Sequence, residues 1–242
     1  MKPLPEIDNM RAMILAAGLG TRLRPITDVT PKPLVRVAGR ALIDYCFDLL
    51  RMAGIRQVVV NKHHLGDQIS DYLSHVTGFD FAISDETEAL LETGGGVKKA
   101  LPFLGADPFF VLNSDVIVRD RAASSLGLMH DRWDDREMGA LLLLHPVGTA
   151  VGYAGSGDFH LEESGRIRRR REGETAPFLF TGVQLLDPGL FAETTMDAFS
   201  LNVIYDKALA SGRLYGLVHD GEWLHVGTPD AVEEASRRIG GK

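Results

Sequence analysis

The sequence predicts an α/β fold: a mainly parallel, doubly wound (Rossmann-like) sheet with a smaller antiparallel sub-lobe. Three observations carry this. Up to Pro146, short apolar runs alternate with amphipathic stretches, as in a chain of βαβ units. The first apolar run, Ala12-Met13-Ile14, empties into a glycine-rich turn, and parallel sheets hold ligands beyond the carboxyl ends of their strands. After Pro146 the segments become short, alternating and rich in glycine, the texture of antiparallel strands.

Taken in order, strands are expected at Ala12–Ala16, Gln57–Asn61, Phe79–Ser84, Phe109–Leu112 and Ala140–Leu144, with helices between them at Ala41–Met52, Asp67–Val76 and Gly95–Leu101. The first helix shows Leu42, Tyr45, Cys46, Leu49 and Leu50 on one stripe, the 3.6-residue period of a core-facing helix. In the second half, Gly152–Phe159, Arg166–Arg171 and Phe178–Leu186 are expected as strands, followed by a helix from Leu201 to Ser211. Residues 10–242 are therefore expected as one domain, divided near residues 145 and 146 into two walls of a cleft. Residues 1–9, with Pro3 and Pro5, are expected as a loose tail.

A chain of 242 residues with 45% hydrophobic content can bury a substantial core. Its formal charge of −7 repels nucleic acid. The basic run Arg166-Ile167-Arg168-Arg169-Arg170-Arg171 sits among Glu162, Glu163, Glu172 and Glu174, which makes it a solvated face and not a nucleic-acid stripe. Cys46 is the single cysteine, so no internal disulfide can form, and its place on the apolar stripe makes it a small core hydrophobe. Ala140–Leu144 is far too short to span a bilayer, and residues 1–9 lack a secretory start. A soluble, cytoplasmic protein with no membrane partner is expected, and its oligomeric state stays open.

The segment Leu15-Ala16-Ala17-Gly18-Leu19-Gly20-Thr21-Arg22-Leu23-Arg24-Pro25 is followed by Lys32 between Pro31 and Pro33. Bare backbone N–H groups and fixed cations at a strand tip suit the anionic oxygens of a polyphosphate. The prolines on either side of Lys32 push its backbone to extended geometry and hold the charge in place. Leu23 stands where the dinucleotide fingerprint needs its third small residue, which disfavours a nicotinamide cofactor. Neither Gly20-Thr21-Arg22 nor Gly96-Val97-Lys98 completes the Gly-Lys-Ser/Thr phosphate loop of kinases and ATPases. Past the apolar run Phe109–Leu112, Asp115 in Asn113-Ser114-Asp115 is placed to hold a hard cation that bridges phosphate oxygens.

These stretches, with Thr30-Pro31-Lys32-Pro33-Leu34, resemble the signature of the sugar-1-phosphate nucleotidyltransferases. Val37-Ala38-Gly39-Arg40, Leu91-Glu92-Thr93-Gly94-Gly95-Gly96, Asn113-Ser114-Asp115-Val116 and Val226-Gly227-Thr228-Pro229 are most similar to the N-acetylmuramate-1-phosphate uridylyltransferase branch. The resemblance implies a nucleotide-diphospho-sugar transferase-like fold with a sugar-binding sub-lobe. It implies Arg22, Lys32 and Asp115 as catalytic residues, and Leu15, Ala16, Ala17, Gly18, Gly20, Thr21, Arg22, Asn61, Glu92, Gly94, Gly95 and Asn113 around the nucleotide. Thr181, Gly182 and Asn202 are implied on the sugar side, with Asp206 a further polar contributor and Mg2+ on Asp115. Where many relatives carry Asp as a second metal ligand, this chain has His225, and imidazole is a poor replacement for an oxygen ligand of magnesium.

The reaction implied is attack of a sugar-1-phosphate on the α-phosphorus of a nucleoside triphosphate, with pyrophosphate leaving in line. UTP and N-acetylmuramate-1-phosphate are favoured, in service of peptidoglycan recycling. GTP with mannose-1-phosphate, another such pair, and a non-catalytic nucleotide-sugar-binding regulator are the alternatives.

Overall fold

The apolar runs become strands, and the loops at their carboxyl ends gather on one side of a single sheet. The computed structural model describes residues 4–195 and 197–241. The chain runs β1 (Arg11–Leu15), β2 (Arg36–Val37), β3 (Arg40–Ala41), α1 (Leu42–Ala53), β4 (Gln57–Lys62), α2 (Gly66–Ser74), β5 (Asp80–Asp85) and α3 (Glu92–Leu104). It continues through β6 (Phe109–Asn113), β7 (Val116–Arg119), α4 (Ser125–Arg132) and β8 (Ala140–Pro146). The remainder is β9 (Phe159–Leu161), β10 (Ile167–Arg169), β11 (Phe178–Leu186), α5 (Asn202–Ala210), β12 (Leu214–Val218), β13 (Glu222–His225) and α6 (Pro229–Gly240).

The main sheet follows the order β10-β9-β11-β6-β1-β4-β5, with β8 joined to β11 and β12 to β8. Strand β1 is central, parallel to both β4 and β6. The chain leaves it in opposite directions on its two sides, so its carboxyl end is the switch point where an open α/β sheet opens a crevice. The burial pattern of the strands explains why they sit there. Ala12, Met13 and Ile14 are fully buried, as are Phe109, Phe110, Val111 and Leu112, because a parallel strand is covered by helices on both faces. Helix α1 buries Leu42, Ile43, Tyr45, Cys46, Phe47, Leu49, Leu50 and Ala53, each large side chain contributing about 1.5–3 kcal/mol.

The second half differs from the expected sub-lobe in one respect. Its long strand β11 pairs antiparallel with β6 on one edge and with β8 on the other, so it continues the nucleotide-side sheet instead of starting a separate one. The nine residues of β11 are almost continuously buried, which is why the run joins the core. Between Phe180 and Gln184 its register shifts, and the bulge holds Thr181 and Gly182. A second, two-stranded sheet pairs β13 with β7, with His225 opposite Val116.

Residues 1–3 lie outside the described residues, and residues 4–9 are not a loose tail. Leu4 and Ile7 pack on the main core, and His130 Nε2 donates to the Pro5 carbonyl at 2.9 Å. Apolar side chains at both positions give the segment a reason to stay down. Among the described residues no helix is long and apolar enough to cross a membrane.

Candidate active site

The tips of β1, β6 and β4 enclose a cavity of about 440 Å³. Its floor and walls are Leu15, Ala16, Ala17, Gly18, Gly20, Thr21 and Arg22 from the glycine turn, Lys32 and Pro33, Asn61, and Asn113, Ser114 and Asp115. Glu86, Leu90, Glu92, Thr93 and Ser200 complete it. All three expected catalytic residues therefore face one hollow.

Local chemistry fixes each of them. Ser114 ties the tip of β6 to that of β1, its Oγ donating to the Leu15 carbonyl at 2.6 Å. This holds Asp115 at the mouth, where Lys32 Nζ donates to its Oδ2 at 3.0 Å. The Lys32 side chain is 10% exposed and the Asp115 side chain 39%, so the ammonium is embedded while the carboxylate stays open to a cation. Thr27, itself buried, donates from Oγ1 to the Gly20 carbonyl at 2.8 Å, and the ring of His64 bonds the Thr27 carbonyl at 3.0 Å. Those bonds brace the turn that carries Arg22.

His225 lies next to the site without lining the cavity: the β13–β7 register sets it beside Val116, the residue after Asp115. Burial holds its imidazole below the ordinary histidine range; the Asp115 carboxylate opposes that shift, and Lys32 and Arg22 add to it. The ring stacks on Trp223, centroids 6.0 Å apart. Beneath the site, burial pushes the Cys46 thiol up to about 12, with Asp115, Asp44 and Asp48 adding to the shift, in keeping with an inert core residue.

Several expected contacts fall elsewhere. Gly94 and Gly95 do not line the cavity. Their N–H groups donate to the Phe199 carbonyl at 2.7 and 3.1 Å, and a Cβ on Gly95 would stand 2.1 Å from the Asp197 carbonyl oxygen. The glycines at the start of α3 thus permit close packing against the 197–199 segment, while their neighbours Glu92 and Thr93 face the cavity. Glu92 has φ +59°, a conformation unusual for a residue with a side chain.

Thr181 is fully buried, its Oγ1 donating to the Leu143 carbonyl at 2.8 Å, so its hydroxyl faces the core and not a sugar. Gly182, at φ +90°, lies beneath Asn113, where an added Cβ would meet the Asn113 Cβ at 2.9 Å. Both belong to the bulge that supports the β6 tip. Asn202 also lies off the cavity lining: its Oδ1 accepts from Arg169 Nη2 at 3.0 Å and its Nδ2 donates to Ser200 Oγ at 3.2 Å. Arg169 Nε in turn bonds Asp206 at 2.8 Å.

The basic run is engaged rather than free in solvent. Arg168 makes two bonds to Glu174 at 3.0 and 2.9 Å, and Arg170 donates to the Gly157 and Glu174 carbonyls.

Sequence reasoning missed Glu86, Leu90, Ser114 and Ser200 as cavity residues. Glu86 had a signal, since it lies just past the end of β5 as Asp115 lies past β6.

Of the three carboxylates that line the cavity, Glu86 is buried and bonded to Asn61 and the Leu91 N–H, and Glu92 stands on the facing wall, which leaves Asp115 as the carboxylate at the β6 tip. Among the described residues no group of three or more His, Cys, Asp or Glu side chains is placed to hold an ion. That donor set fits magnesium, which binds through one or two carboxylates, substrate phosphates and water.

The model of the nucleotidyl transferase family matches residues 11–241. The chain is 39% identical to the N-acetylmuramate alpha-1-phosphate uridylyltransferase of Caulobacter vibrioides, across 99% of each chain. It is 35% identical to the enzyme of that name from Neisseria meningitidis serogroup B, across 96% of this chain and 99% of that one. In fold it is similar to a putative glucose-1-phosphate thymidylyltransferase from Bacillus anthracis, with TM-score 0.76 and 22% identity over 96% of this chain and 95% of that one. With a glycine turn, two cations and a strand-tip carboxylate around one cavity, and with relatives matched end to end, the chain belongs to the nucleotidyl transferase family.

Proposed function

We propose that the protein joins UTP to N-acetylmuramate α-1-phosphate, forming the UDP-sugar and pyrophosphate. The observation that carries this is the convergence of Arg22, Lys32 and Asp115 on the cavity beside the glycine turn. The choice of substrates is supported by the two uridylyltransferase relatives, each matched over nearly its whole length.

A sugar phosphate monoester is largely ionised near neutral pH. It attacks the α-phosphorus without a general base, so the site's task is to hold two repelling anions together and offset charge on the leaving group. The Ala16–Gly18 backbone lies against base and ribose. Arg22 and Lys32 neutralise the triphosphate and then the departing pyrophosphate. Asp115 is the residue that would hold Mg2+, which when bound would supply positive charge to the phosphate oxygens. Lys32 bonds the Asp115 carboxylate at 3.0 Å in the free protein and donates to phosphate when the triphosphate is bound. His225 stands beside this cluster, stacked on Trp223. The sugar lies towards Ser200, with the Asn202–Arg169 pair behind it. Residues 10–145 thus bind nucleotide and residues 146–242 the sugar phosphate. The setting is the cytoplasm, and the product returns cell-wall sugar to peptidoglycan synthesis.

Pyrophosphate release is the test, run over UTP, GTP, dTTP, ATP and CTP against N-acetylmuramate-1-phosphate, mannose-1-phosphate and glucose-1-phosphate, with and without magnesium. Fastest turnover with UTP and the muramate phosphate is expected. Preference for GTP with mannose-1-phosphate would replace the substrate assignment, and no turnover with any pair would overturn the activity.

A further inference from the structure

Asn61 stands between two groups that admit its amide in one orientation. Its Oδ1 accepts the Ala16 backbone N–H at 2.6 Å, and its Nδ2 donates to Glu86 Oε1 at 2.7 Å. A backbone N–H only donates and an ionised carboxylate only accepts. Both side chains are buried, Asn61 at 2% exposure and Glu86 at 1%. The second Glu86 oxygen accepts the Leu91 N–H at 3.4 Å. The Glu86 backbone is tied as well: its N–H donates to the Lys62 carbonyl at 2.8 Å, and its carbonyl accepts from His63 Nδ1 at 2.7 Å. Space for the carboxylate comes from Gly96, where a Cβ would stand 2.7 Å from Oε1.

Ala16 belongs to the glycine turn, and Leu91 precedes Glu92 on the facing wall of the cavity. Among the described residues, Glu86 is thus the side chain that bonds both the Asn61 amide and the start of that wall. We propose that Glu86 is a positioning residue, which through Asn61 holds the Ala16–Gly18 backbone at the separation from the Glu92–Thr93 wall that the nucleotide needs. The benefit to the nucleotide rests on the function proposed above, whereas the bracing is a property of the free protein.

Glu86→Gln tests it with little change of shape. A glutamine offers one acceptor oxygen where Asn61 Nδ2 and the Leu91 N–H need two, so its NH2 is set against a donor. The Asn61 amide then loses its reason to keep its oxygen on Ala16. The KM for UTP is expected to rise about tenfold with kcat within about twofold. The Ala16 amide is expected to exchange with deuterium about tenfold faster in the free protein. In an Asn61→Ala background, Glu86→Gln is expected to add less than about twofold to KM.

Unchanged Ala16 protection would overturn the proposal, whatever the protein's substrates prove to be. An effect on KM undiminished in the Asn61→Ala background would overturn it too, since the carboxylate would then act on the ligand directly. Loss of kcat together with a lower melting temperature would reduce Glu86 to a structural role. If the parent does not turn over UTP, the functional assignment fails by itself and the exchange experiment still decides the bracing.

Discussion

Lys32 and Asp115, 83 residues apart in sequence, meet at 3.0 Å across the mouth of the cavity. The ammonium comes from a proline-clamped turn and the carboxylate from the tip of β6. Such a pair on its own contributes little to stability when one partner is this open to water. Asp115→Asn is therefore expected to leave the melting temperature within a few degrees while reducing pyrophosphate release by about 100-fold or more. Lys32→Met is expected to reduce turnover to a similar degree. Either variant retaining turnover within about tenfold of the parent would remove that residue from the catalytic set.

Gly182 supports this geometry from below. At φ +90° a side chain is strained, and a Cβ would press on Asn113 at 2.9 Å and on Val116 Cγ2 at 3.2 Å. These residues flank the Ser114-Asp115 pair. Gly182→Ala is expected to destabilise the protein by about 1–3 kcal/mol and to lower kcat as well, because the strand tip must shift. Thermal unfolding and steady-state turnover check the two effects, and an unchanged kcat would mean that the tip absorbs the strain away from Asp115.

The glycine turn, Lys32 and Asp115 were legible because each is announced locally: a run of small residues, two flanking prolines, a carboxylate just beyond an apolar strand. What pairs with what was not. Thr181 is expected on the sugar side, but the bulge of β11 against β8 turns its hydroxyl inward to the Leu143 carbonyl. Gly94 and Gly95 are expected around the nucleotide, yet the space at Gly94, Gly95 and Gly96 is taken up by Phe199, Asp197 and Glu86, residues far apart in the chain. His225 comes to lie next to the site only through the β13–β7 register, 109 residues in sequence from its partner Val116. β7 and β13 are four residues each and carry Arg119 and Glu222, and their strand identity comes from pairing with each other, which no local pattern shows. Helices α4 and α6 likewise fell between the patterns that were recognised.

A buried histidine makes the fold sensitive to acid. His145 on β8 is 2% exposed. Burial holds its imidazole below the ordinary range and nearby His219 adds to this, while the hydrogen bond with Thr149 opposes it. His219 is itself bonded to Asp120 at 3.0 Å. With a folded value below the unfolded one of about 6.5, the unfolded chain takes up a proton that the folded chain refuses. Stability is thus full at neutral pH and is lost as pH falls from about 6.5 through the folded value, by at most about 1.4 kcal/mol per pH unit for this group. His225 contributes with the same sign. Urea unfolding between pH 7 and 5 is expected to show this slope, and His145→Gln to reduce it without abolishing it. An identical slope in the variant would exclude His145 as a source.

Thr181→Val separates the two roles open to that residue. The hydroxyl donates to the Leu143 carbonyl and accepts the Val183 N–H at 3.2 Å, so its loss leaves buried backbone groups unpaired. The cost is expected to be about 1–3 kcal/mol, lowering the melting temperature by about 2–4 °C for each kcal/mol in a chain of this size. Since the side chain does not reach the cavity, the KM for the sugar phosphate should stay within about twofold of the parent. A large rise in that KM with an unchanged melting temperature would put Thr181 back on the substrate, and would require the bulge in β11 to open when the sugar binds.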